Sequence, residues 1–391
     1  MAEKIYFDNA ATTPIDPRVF NAMRPYLQEV WGNPSSLHRE GREARTAVDR
    51  ARSQVSQLLG ADPNEIVFTS SGTEADALAI RGALTAKGIR GAHLIASAVE
   101  HPAVLACCRR LQHEGVLLTL LPVDEDGIVN PESLRQALRP ETRLVSIMAA
   151  NNVIGTLQMV TELAEIARQY GSLFHSDAVQ AAGKITFNMR DQPIDLLSLS
   201  AHKLHGPKGI GALFVRSGVE LAPILEGGGQ EAGLRSGTEN VAGIVGLGAA
   251  AEIAREEMTA EAARLVKIRE YLIDSITELI PNVYLIGDRY RRLPGHICLG
   301  FAGMEGEAIK LLLELDAAGI AISSGSACSA IHAGEPSHVL EALGFDAFKA
   351  RGSLRISLGR FNTFEEAERL LEVLPLAVGS LRSITSLASL A

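Results

Sequence analysis

Four reactive side chains in this 391-residue chain sit in settings that could serve chemistry. Cys328 lies in "ISSGSACSAIHAGEPSHV", a thiol inside a run of Ser, Gly and Ala, and reads either as a loop filler or as a nucleophile on a mobile arm. Lys203 follows a strand pattern in "LLSLSAHKLHGPKGIGALFV", where an amine held uncharged by burial and cationic neighbours could form a Schiff base. Taken alone it is far more often a solvated loop lysine, so it decides nothing by itself. Asp177 closes the strand pattern of "YGSLFHSDAVQAAGK" with Gln180 three residues on, and a carboxylate there could hold a protonated pyridine nitrogen. Arg355 in "GSLRISLGRF" offers a planar, bidentate grip on a carboxylate, or a surface ion pair.

Supporting groups accompany them. In "EIVFTSSGTEADALAIRGAL" a strand runs into Ser71-Gly72-Thr73 and then a helix, which suits a phosphate at the helix N-terminus or a plain N-cap. Ser200 and His202 could add donors from the opposite side. His101 precedes Pro102 in "SAVEHPAVLACC", placed to stack on a ring and move a proton, or simply to cap a helix.

The elements that must position these residues alternate. The runs "EIVFTSS", "AHLIASAVE", "LLTLLPV", "RLVSIMAA", "SLFHSDAV", "LLSLSAH" and "GIGALFV" predict strands, with helical patterns between many of them. "PESLRQALR" should start at Asn130 with Pro131 in its first turn, and "ELAEIARQY" at Thr161, ending by Gly171. The expected fold is α/β: a mostly parallel sheet covered by helices in a large domain, residues 14–258, plus a smaller α+β domain of residues 1–13 and 259–391. In the latter, "TFEEAERLLEVLPLAV" begins with a capping box, Thr363 with Glu366. Phosphate turn, His101, Asn151-Asn152, Asp177 with Gln180, and Ser200-x-His202-Lys203 all fall at strand C-terminal ends, where open α/β sheets bind ligands.

Composition narrows the class. An apolar fraction of 47% with 21% charged residues describes a globular enzyme rather than a disordered chain. A net charge of −9 argues against a general nucleic-acid binder. No apolar run is long enough for a membrane span, and no secretory signal is visible at the start. Cys107, Cys108, Cys298 and Cys328 form no CxxC or metal-ligand spacing, so the expected home is a reducing cytoplasm, with the first three as small apolar core residues.

The ordered set of motifs resembles the fold-type I, class V family of pyridoxal-phosphate enzymes. With "SSGSAC" included, it resembles the cysteine desulfurases of the NifS/IscS type over nearly the whole chain, from "YFDNAATTP" through "WGNPSSLH", "SSGTEAD", "VEHPAVL", "NNVIG", "HSDAVQ", "SAHKLHGPKGIG" and "GGGQEAGLRSGT" to "SLRISLGRF". The resemblance implies that Lys203 holds pyridoxal 5'-phosphate and moves the Cα proton of L-cysteine, while Asp177 pairs with the ring nitrogen, Gln180 with the ring hydroxyl and His101 stacks on the ring. Gly72, Thr73, Ser200 and His202 would hold the phosphate, and Thr238 would reach the phosphate of the neighbouring subunit in a homodimer. Asn152 and Arg355 would bind the substrate carboxylate. Cys328, carried by the small residues Ser323 to Ala327, would take the sulfur as a persulfide and pass it to an iron–sulfur scaffold or another acceptor protein; no resident metal is implied, and an iron–sulfur cluster would touch Cys328 only in transit. A selenocysteine lyase, or another class V lyase or aminotransferase, would share all but the need for Cys328. A cofactor-free sulfur-relay protein is the non-enzymatic alternative. Two departures stand out: Val153 where the family usually has Glu, and a loop with His332 in place of the commoner Thr/Ser-rich one.

Overall fold

The computed structural model describes residues 4–325 and 336–388. A short strand, β1 (Ile5–Tyr6), comes first. The seven apolar runs then become β2 (Ile66–Thr69), β3 (His93–Ser97), β4 (Leu117–Leu121), β5 (Thr142–Ser146), β6 (Leu173–Asp177), β7 (Leu196–Ser200) and β8 (Gly211–Val215). They form one sheet in the order β2-β8-β7-β6-β5-β3-β4, in which β8 is antiparallel to both neighbours and the other pairs are parallel. Strands covered on both faces lose the polar alternation, and the central ones are buried along their length. At the edge, β4 leaves Leu117 and Leu120 exposed.

Helices α1 (Pro17–Gln28), α2 (Arg39–Leu59), α3 (Gly72–Ala86), α4 (Pro102–His113), α5 (Pro131–Ala137) and α6 (Val160–Gln169) flank this sheet. Helix α5 starts where its signals place it: Asn130 Oδ1 accepts from Glu132 N at 2.8 Å, and Pro131 is the first helical residue. Helix α6 departs from expectation. It begins at Val160, not after Thr161, because buried Val160 joins the core and the Thr161 hydroxyl accepts instead from Gln192 Nε2 at 2.9 Å.

Helix α7 (Val241–Leu279) runs unbroken for 39 residues. Its first half, through Ile244, Leu247, Ala250 and Ala254, completes the core beneath the large sheet, with α1 and α2 against it. Its second half, through Leu265, Ile268, Leu272 and Ile276, belongs to a separate apolar cluster. That cluster also gathers β9 (Val283–Leu285), β10 (His296–Phe301), α8 (Ala308–Ala317), β11 (Ile320–Ala321), β13 (Ser353–Ser357) and α10 (Phe364–Ala388), while β12 (Ser323–Ser324) pairs with β13 and α9 (His338–Ala342) packs in another cluster. The four-stranded antiparallel order is β12-β13-β10-β9, while β11 pairs in parallel with β1, Ile5 opposite Ile320. The Thr363–Glu366 capping box forms, with Thr363 N donating to Glu366 Oε2 at 3.1 Å and Glu366 N to Thr363 Oγ1 at 3.3 Å. A division at residue 258/259 would fall inside α7.

Candidate active site

The parallel strands β2, β3, β5, β6 and β7 end on one edge of the sheet, and the loops leaving them enclose a cavity of about 290 Å3. Gly72, Thr73, His101, Asn152, Asp177, Gln180, Ser200, His202, Lys203 and Arg355 all line it. Thr238 does not. It is exposed, on a separate cavity beside Ser70 and Arg235. Cys328 and His332 lie outside the described residues.

At one end, α3 points its N-terminus at the cavity. Ser71 caps it, accepting from Glu74 N at 3.2 Å, as the N-cap reading expects, and Gly72 and Thr73 stand on the cavity wall at that N-terminus. A Cβ on Gly72 would come within 2.6 Å of Val179 Cγ2. Only glycine lets this turn approach the loop after β6.

At the other end, buried Asp177 accepts from Val179 N at 2.9 Å. Burial raises its carboxyl pKa, while the nearby His101 and Lys203 pull it down. Two acids that sequence reasoning passed over stand behind it. Asp76, on α3, is 1% exposed; its Oδ1 has no hydrogen-bond partner among the described residues, and burial followed by the Asp177 charge holds its carboxyl well above the usual range. Glu100 is pushed up to about 8 by burial, with Oε1 accepting from Ser97 Oγ at 2.5 Å and Met148 N at 2.8 Å. His175, between Ser146 Oγ at 2.8 Å and Ser198 Oγ at 3.0 Å, is driven down to about 3 by burial and stays neutral. A cationic ring nitrogen against Asp177, with a phosphate at α3, fits the donor set, so the residues present suit pyridoxal phosphate.

Between the two ends, Lys203 sits in a short turn after β7 and donates from Nζ to Ala10 O at 2.5 Å and Ala11 O at 2.7 Å. His202, beside Thr12 Oγ1 at 3.2 Å, is lowered to about 4, first by burial and then by Lys203. His101 caps α4, its Nδ1 accepting from Ala103 N at 3.2 Å, and it also stands on the cavity wall. Arg355, on β13, donates from Nη1 to Asn152 O at 2.9 Å and pairs through Nη2 with Asp8 at 2.8 Å. Its buried Nε has no hydrogen-bond partner among the described residues. Val153 is absent from the wall. It is 5% exposed in an apolar cluster with Met148, Cys298 and Val339, so its replacement of a carboxylate alters packing rather than the cavity lining. The signal for Asp76 was an acid on the otherwise apolar stripe of Ala75, Leu78 and Ala79.

The aminotransferase class-V family is matched over residues 5–370. The chain belongs to that family. Among its curated relatives, a cysteine desulfurase IscS of Dictyoglomus turgidum is 48% identical over 385 residues, covering 98% of this chain and 97% of that protein. Among solved structures, a NifS-like protein superposes with a TM-score of 0.90 at 38% identity, covering 96% of this chain and all of that one. SspA, solved in complex with cysteine, gives 0.80 at 36% identity, covering 92% of this chain and 100% of its own. Class-V members use pyridoxal phosphate, and the mostly parallel sheet with its ligand edge is the scaffold of these NifS-like neighbours.

Proposed function

We propose that this chain is a pyridoxal-phosphate-dependent cysteine desulfurase that converts L-cysteine and the Cys328 thiol into L-alanine and a Cys328 persulfide. The observation that carries the reading is one cavity walled by Lys203, Asp177, the start of α3 and Arg355. When bound, the cofactor supplies an electron sink next to the amino acid's Cα. Gly72, Thr73, Ser200 and His202 hold its phosphate, Asp177 its ring nitrogen, and His101 covers the ring. Arg355, through its Nε edge, and Asn152 orient the substrate carboxylate. Lys203 Nζ takes the Cα proton and returns one to the alanine. The thiolate of Cys328 attacks the substrate sulfur as the Cβ–S bond breaks, so the sulfur leaves as a persulfide and no outside oxidant is needed.

The wider reading follows the same residues. Residues 14–258 carry the cofactor, and residues 1–13 with 259–391 carry Arg355 and Cys328. Thr238 completes the phosphate site of a second copy in a homodimer. The acceptor is an iron–sulfur scaffold or another sulfur-accepting protein, in a reducing cytoplasm. Among the described residues no helix is long and apolar enough to cross a membrane.

The deciding experiment incubates purified protein with cysteine. Alanine should appear together with one added sulfur mass on the peptide holding Cys328, and Cys328→Ala should abolish both. Alanine release by Cys328→Ala at the wild-type rate would refute the mechanism. Lys203→Ala should remove the lysine-dependent visible absorbance, and Thr238→Ala should weaken cofactor retention.

A further inference from the structure

A second, smaller cavity, of about 40 Å3, shares Ala10 and Lys203 with the first. Another lysine, Lys184, also lines it. Lys184 Nζ lies 3.4 Å from Gln180 Oε1, and the other end of that amide, Nε2, donates to Ala10 O at 2.8 Å. Ala10 O is also an acceptor for Lys203 Nζ.

Chemistry fixes the sense of the amide. A peptide carbonyl only accepts, so Ala10 requires the nitrogen of Gln180, and Lys184, which as an ammonium only donates, takes its oxygen. Both neighbours agree. One N–H of Gln180 is taken by Ala10, and the second remains for the larger cavity, whose wall includes Gln180.

The geometry points to Lys184 as a positioning residue: it locks the Gln180 amide so that an N–H meets the cofactor's ring oxygen, and it sets a second cationic group beside Lys203. The inference rests on the proposed reading, in which Gln180 pairs with that oxygen. Burial lowers Lys184 to about 7, with Lys203 and Arg355 adding to the effect and Glu261 opposing it. The groups facing it from packed elements are His202, Lys203 and His205 after β7, and Glu261 on α7. His296 on β10 and Arg355 on β13 face it as well, and Arg360 shares the cavity.

Both effects favour loss of a proton where Lys203 joins the cofactor, because an N–H on the ring oxygen, and Lys184 while it is charged, each stabilise the less protonated form. The readout is the pH midpoint of the visible absorbance of the loaded protein, recorded without substrate. Lys184→Met should raise it by about one unit, a tenfold change in acid dissociation. Lys184→Arg, which keeps donor and charge, should restore it to within a few tenths. A merely structural lysine would lower the melting temperature and leave the midpoint alone. Should Lys184→Met fail to fold, Gln180→Glu replaces the donor with an acceptor and should raise the midpoint by at least as much. A normal wild-type band with an unmoved midpoint in either folded variant overturns this inference alone. A band that survives Lys203→Ala overturns the proposed function and this inference together.

Discussion

Asp8 grips Arg355 from the N-terminal segment, Oδ1 to Nη2 at 2.8 Å, on a guanidinium that is 2% exposed. With Asn152 O on Nη1, two of the three nitrogens are committed, and the fork cannot swing away from the cavity. Asp8→Asn keeps the shape and loses the charge-assisted bond, worth roughly 1.5–3 kcal/mol where the partner is ionised. KM for cysteine should rise about tenfold while kcat changes little, because orientation of the carboxylate is lost and the reacting atoms are untouched. Steady-state kinetics checks this, and an unaltered KM would show that Arg355 holds its place without Asp8.

Gly72→Ala should cost about 1–3 kcal/mol, as overpacking does, because its new methyl meets Val179 Cγ2 at 2.6 Å. Trimming Val179 to Ala in the same chain should recover most of that loss. Denaturation midpoints of the two single variants and the double variant give the coupling directly. Simple additivity would place the clash elsewhere.

Glu100 links stability to pH. Its folded value, about 8, lies above the ordinary carboxyl value of 4.5. The folded state therefore keeps a proton that the unfolded chain gives up. The contribution of Glu100 to stability is full below pH 4.5 and falls as pH rises toward 8, by about 1.4 kcal/mol per unit. Glu100→Gln should flatten that slope, though not to zero, since Asp76 and Asp177 are raised in the same direction. Chemical denaturation at pH 5.5 and pH 7.5 tests it, and equal slopes in both proteins would mean Glu100 is ionised in the fold.

Most of the scaffold was legible because each signal was local. The seven β-rich runs became one sheet, and Asn130 and Thr363 capped the helices their spacing announced. Ligand-edge residues were legible for a related reason: in parallel strands every C-terminus faces the same way, so order along the chain converts into convergence in space. What escaped depended on long-range packing. Thr161 has a cap's composition, yet its hydroxyl is claimed by Gln192. Asp76 and Glu100 look like ordinary helix and loop acids until the neighbouring strands bury them. Val153 looked like a lost carboxylate at the site, and only its apolar neighbours reveal that it points elsewhere.

Residues 5–13 are the seam of the molecule: Ile5 pairs with Ile320, Asp8 with Arg355, and Ala10 and Ala11 receive Lys203. Along the chain these residues precede the last of their partners by hundreds of positions. Until Arg355 has been translated, Asp8 has no guanidinium to hold. A chain translated no further than residue 354 therefore lacks the guanidinium that walls the pocket beside Asn152 and Lys203.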